Sequence, residues 1–107
     1  WDVSSVTNMH HMFASGGTFN ELPQFEFLFN QPISAWDVSS VQNMDSMFRS
    51  ANYFNQSLSN WTVSKVTKMT RMFEAANNFN QPLDAWDVSK VKTMLAMFRG
   101  CDNFNQI

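Results

Sequence analysis

The sequence predicts an α/β solenoid, a stack of short parallel strands and short helices. Three observations predict it. Tryptophan recurs at Trp1, Trp36, Trp61 and Trp86, at separations of 35, 25 and 25 residues. Around each later Trp the apolar spacing runs in twos, as in Leu58-x-x-Trp61-x-Val63, which is the period of a strand. Behind it the spacing changes to threes, as in Val66, Met69, Met72 with Phe73, and Ala76, which is the face of a helix or a short 3₁₀ stretch.

The first element of each unit is the strand. Ile33-Trp36-Val38 and Leu83-Trp86-Val88 repeat the Leu58-Trp61-Val63 pattern. Trp and Val two apart share a face, and the places between them point the other way. A turn follows, where Ser64 or Thr67 is placed to cap exposed N–H groups. The helical face comes next, with Val6, Val41, Val66 and Val91, then Met9, Met44, Met69 and Met94, then the pairs Met12-Phe13, Met47-Phe48, Met72-Phe73 and Met97-Phe98. A small residue (Gly16, Ala51, Ala76, Cys101) and a Phe-Asn pair (Phe19-Asn20, Phe54-Asn55, Phe79-Asn80, Phe104-Asn105) close the unit. The chain reads as one domain over residues 1–107. Its units are 1–35 with an insertion at 21–30, 36–60, 61–85 and an incomplete 86–107, and the 107 residues are expected to be part of a longer chain. A 25-residue unit cannot bury its own apolar face, whereas a stack of them can.

Composition fits this reading. All 8 Met, all 4 Trp and eight of the 11 Phe fall in the repeat register. Charged residues make up only 15% and the formal charge is −2, which excludes the basic face of a nucleic-acid binder. One Cys cannot form an internal disulfide, no apolar run approaches a membrane span, and the opening residues show no signal peptide.

The run F-N-Q-P-L-x-x-W-D-V-S-x-V-x-x-M-x-x-M-F-x-x-A resembles the 25-residue repeat of bacterial surface lipoproteins, a relative of the BspA-like leucine-rich repeats of surface adhesins. Leu58-Trp61-Val63 lies on the family's strand, Met72-Phe73 on its Ala-Phe pair, and Cys101 where the family often has Cys. The resemblance covers all but Glu21 to Asn30. It implies a leucine-rich-repeat-like stack at the cell surface, used for binding, adhesion or display.

Candidate sites compete with packing. Met9-His10-His11-Met12 has the thioethers and imidazoles of a Cu(I) site. The same Met places recur in units without His, as a packing stripe would, so no metal is assigned. The Trp column could offer sugars a platform, yet its strand places face inward, so it is read as core. Asn20, Asn55, Asn80 and Asn105 read as a structural ladder. The strip Asp2, Asp37, Thr62, Asp87 faces outward. Calcium between Asp2 and Asp37 is conceivable, but Thr62 interrupts the row, and a partner contact is preferred. Phe25, Phe27 and Phe29 alternate inside the insertion as an aromatic docking loop would. Of two sequons, Asn60 is the better-placed glycosylation acceptor, and Asn55 is expected to be protected.

Charge is split along the chain, at −4 over residues 1–53 and +2 over residues 54–107, which favours head-to-tail contact between copies. Places that vary between units, such as Ala14, Arg49, Glu74 and Arg99, are expected at the surface. No nucleophile–base pair, phosphate loop or cofactor motif is present, and no catalytic residue is assigned. The expected function is a non-enzymatic protein-interaction or structural scaffold module. Its partner-binding residues are Phe25, Phe27, Phe29, Asp2, Asp37 and Asp87. The alternatives are a self-assembling extracellular filament or lattice subunit, whose partner is another copy, and a glycan-binding adhesin module.

Overall fold

The computed structural model describes residues 2–14 and 29–106. Places 25 apart in the chain lie beside one another in space: isolated parallel bridges join Asn43 to Lys68 and Lys68 to Thr93. Across the longer first unit, Asn8 pairs with Asn43. The four units are called coil 1 (1–35), coil 2 (36–60), coil 3 (61–85) and coil 4 (86–107).

The expected α/β solenoid is not formed. Among the described residues there is no helix, and strand-type pairing is confined to those isolated bridges. The leucine-rich-repeat-like alternation of strand and helix is therefore absent among the described residues, and the described part of each coil is an irregular run of turns.

The spacing by threes belongs to consecutive turns. In coil 2 the N–H groups of Met47, Arg49 and Ala51 donate three residues back, to the carbonyls of Met44, Ser46 and Phe48. The amides between them leave the coil. Met44, Ser46, Phe48 and Ser50 donate to the carbonyls of Lys68, Thr70, Met72 and Glu74, at 2.7 to 2.9 Å. Coil 3 repeats the alternation, with Met69, Arg71, Phe73 and Ala75 donating to Thr93, Leu95, Met97 and Arg99.

A helix would keep every one of these amides inside its own segment. Among the described residues it is interrupted by left-handed backbone: His11 in coil 1, Ser46 and Ser50 in coil 2, Arg71 and Ala75 in coil 3, Ala96 and Gly100 in coil 4. That conformation costs a residue with a Cβ roughly 1–2 kcal/mol. The inter-coil hydrogen bonds it permits return about 1 kcal/mol each. Gly100 is the one of these without strain, and its α-carbon faces Ala75.

The expected strand is also only half present. Trp61 and Val63 are buried with Thr62 exposed between them, so the alternation is real. No backbone ladder joins these segments from coil to coil. The indoles do so instead: Trp61 Nε1 donates to the Ile33 carbonyl at 3.0 Å and Trp86 Nε1 to the Leu58 carbonyl at 2.9 Å.

The core is two parallel columns of phenyl rings. Phe13, Phe48, Phe73 and Phe98 form one, with successive centroids 5.4 to 5.6 Å apart. Phe29, Phe54, Phe79 and Phe104 form the other, at 5.7 to 6.0 Å. Within each coil the two rings stack at 4.2 to 4.4 Å. Phe29 rather than Phe19 thus fills the column, and Phe19 lies outside the described residues. Met44, Met47, Met69 and Met72 are fully buried beside these columns. The outer coils cover their places less well: Met12, Met94, Val88 and Phe98 are exposed, whereas Val38 and Val63 are buried.

This layering sets unequal costs for equivalent rings. Phe73→Ala, in a fully enclosed layer, should cost about 4 kcal/mol. Phe98→Ala, at the same place in coil 4, should cost about 1–2 kcal/mol. Urea unfolding midpoints of the two variants test the difference, and equal losses would contradict it.

Candidate functional site

Three polar arrangements arise from the stack. The first is the Asp strip. Asp2, Asp37 and Asp87 are exposed, and each heads a short turn onto the Ser two residues on. The Ser39 amide and hydroxyl donate to Asp37 Oδ1 at 3.0 and 2.5 Å, and Ser4 does the same to Asp2 at 3.0 and 2.6 Å. The Ser89 amide donates to Asp87 at 3.0 Å. These bonds hold all three carboxyls below the ordinary carboxylate range, led by the Ser hydroxyl and then the amide. Burial and then the charge of Asp2 oppose this lowering at Asp37, both more weakly than its Ser39 bonds. Among the described residues no group of three His, Cys, Asp or Glu side chains converges as a metal site would require.

The second is an ion cluster that sequence reasoning misplaced. Glu74 is buried, not at the surface. Its Oε1 accepts from Arg49 Nε at 2.7 Å, one coil back. Its Oε2 meets Arg99 Nη2 at 2.5 Å, one coil on, as an ion pair off the hydrogen-bonding direction. Arg71 Nε stands 3.9 Å away. Burial pushes the Glu74 carboxyl up, and the Arg49 hydrogen bond with the charges of Arg99 and Arg49 push it down by more, so it lies below the ordinary range. The charge pattern Arg49, Glu74, Arg99 at one place of three successive coils was the available signal.

The third is the asparagine ladder. Each rung's Oδ1 accepts two donors from the next coil. Asn30 takes the Asn55 amide at 2.9 Å and Gln56 Nε2 at 3.0 Å. Asn55 takes Asn80 and Gln81, and Asn80 takes Asn105 and Gln106, at 2.9 to 3.1 Å. Asn30 holds the rung assigned to Asn20, which lies outside the described residues. The triplet Phe29-Asn30-Gln31 matches Phe54-Asn55-Gln56, whereas Asn20 precedes Glu21, and that was the signal. Beside the ladder runs an open groove of about 640 Å³, lined by Asn30, Tyr53, Asn55, Asn78, Asn80 and Asn103. Sequence reasoning had not singled out Tyr53, Asn78 or Asn103.

The remaining candidates scatter. Phe25 and Phe27 lie outside the described residues. Phe29 is half-buried and stacked on Phe13 and Phe54, so it belongs to the core and not to a docking loop. Asn60 is exposed, and so is Asn55, which was expected to be protected. The Trp platform is closed: Trp61 and Trp86 are buried, Trp36 is half-buried, and Trp1 lies outside the described residues. His10 and His11 do not diverge as they would on a helix; their rings stack at 3.9 Å. The half-buried Cys101 thiol points at the Phe73 carbonyl, and burial raises its pKa.

The ion cluster sets an acid dependence. Glu74 has a lowered pKa in the folded state, so its contribution is present above the unfolded value of about 4.3 and is lost as pH falls through the folded value. Its arginine partners are half-exposed or more and screened by solvent. Glu74→Gln should therefore cost about 1–2 kcal/mol at neutral pH and flatten the acid limb of a stability-against-pH curve. An acid limb unchanged in the variant would contradict this.

No curated protein and no solved structure matches the chain. A family model matches over residues 1–107, under the description "Mycoplasma protein of unknown function". It agrees with the bacterial repeat character of the sequence, and the finer likeness to BspA-like leucine-rich repeats finds no support in the fold. The chain belongs to this bacterial family, DUF285.

Proposed function

We propose that the chain is a non-enzymatic interaction module of a cell-surface protein, holding a polar strip against a partner protein. The observation that carries this reading is the fixed orientation of Asp2, Asp37 and Asp87. The apolar places of the repeat are largely consumed by stacking, so an exposed row of carboxylates, each held by its own Ser, is what the framework has to offer. Side chains already held in place lose little freedom on binding. A partner with a basic surface is the complement.

A second reading is a subunit that associates head to tail with further copies of itself. The split of charge, −4 over residues 1–53 and +2 over residues 54–107, favours it.

Two experiments separate the readings. Asp37→Asn with Asp87→Asn keeps an oxygen to accept from Ser39 and Ser89 while removing charge. The double variant should lose partners recovered by cross-linking from the native source, and an unchanged partner set would refute the contact. Sedimentation of the chain over a range of concentrations tests the second reading. Association that added salt weakens supports it, and a monomer throughout refutes it.

A further inference from the structure

We infer that the groove beside the asparagine ladder is a binding site for a neutral oligosaccharide. It shares no residue with the Asp strip and does not rest on the protein contact proposed above.

The groove has two rows. Asn30, Asn55 and Asn80 form one, and Tyr53, Asn78 and Asn103 the other, each advancing one residue per coil. None of the six side chains is charged. Anionic ligands such as phosphates, and cationic ones, therefore find no counter-charge here.

The hydrogen-bonding capacity that remains is specific. A carboxamide has one accepting oxygen and two N–H donors. In the ladder the Oδ1 of Asn30, Asn55 and Asn80 is taken by the next coil, which fixes each side chain. Their Nδ2 groups donate to no described residue, and neither does that of Asn78. Asn103 Nδ2 donates to Asn78 Oδ1 at 3.1 Å, which leaves Asn103 Oδ1 as an acceptor. The result is a pre-oriented array dominated by neutral donors, with one acceptor among them. Sugar hydroxyls both accept and donate, so they can use both.

Spacing selects among neutral ligands. Neighbouring hydrogen-bonded strands lie about 4.8 Å apart, and hydrogen-bonded coils stack at a similar step. An extended peptide repeats its same-side carbonyls about every 6.8 Å, so it falls out of step with the Asn row. A pyranose ring is about as long as one coil step, so successive sugars can meet successive Asn residues.

The test titrates ¹⁵N-labelled protein with neutral tetrasaccharides of glucose, mannose, galactose and N-acetylglucosamine, and with tetragalacturonate as an acidic control. The expected result is saturable movement of the side-chain amide signals of Asn30, Asn55, Asn80 and Asn78 with at least one neutral sugar and not with the acidic one. Asn78→Ala and Asn103→Ala should each weaken that binding about tenfold, with the backbone amide spectrum of the free protein otherwise retained. Asp37→Asn with Asp87→Asn should leave it intact, which separates this site from the protein contact. Three results would overturn the inference: no movement with any neutral sugar at millimolar concentration, movement with the acidic sugar alone, or binding indifferent to both groove variants.

Discussion

Half of the backbone amides in the turn-rich part of coils 1 to 3 point to the next coil, and the rest of the architecture depends on that alternation. Met44, Ser46, Phe48 and Ser50 donate outward, while Met47, Arg49 and Ala51 close turns within the coil. The outward bonds set one coil against the next in strict register. Register then places Phe over Phe, Met over Met and Asn over Asn. A slip of one residue would break both ring columns and every rung of the ladder at once. Left-handed residues such as Arg71 and Ala75 are tolerated because each lies where an outward amide is required.

The polar groups extend the same logic. Glu74 sits between Arg49 and Arg99 because the three occupy one place in successive coils. Ladder oxygens accept from the coil beyond, and the indoles of Trp61 and Trp86 donate backwards, to carbonyls 28 residues earlier. Bonds along the stack thus come from backbone, amide, indole and ion pair alike. Only 15% of the residues are charged, and among the described residues the ion pairs all meet on a single buried carboxylate, Glu74.

Such a framework leaves function to the places that packing does not use. The Asp strip is held by local turns onto Ser, and the asparagines of the ladder are held by bonds between coils. One presents charge and the other neutral donors, so they suit different ligands. Neither requires the chain to rearrange on binding.

Much was legible in the residues alone. The 25-residue repeat, the inward places of Val38, Val63, Met44 and Met69, and the existence of an Asn ladder all follow from recurrence, because a place kept apolar in every unit is a place that stacks. The helix was not legible, since a spacing of three fits consecutive turns as well as a helix. The choice between them depends on where each amide finds its acceptor. For Ser46 that acceptor is Thr70, in the next coil, and no local pattern records it. The same holds for Glu74, whose burial is decided by arginines 25 residues away on either side, and for the groove, whose rows meet only once the coils are stacked. Sequence by itself determined which side chains face inward and which repeat. The tertiary structure decided the turns, the buried carboxylate and the groove, because each rests on bonds between coils.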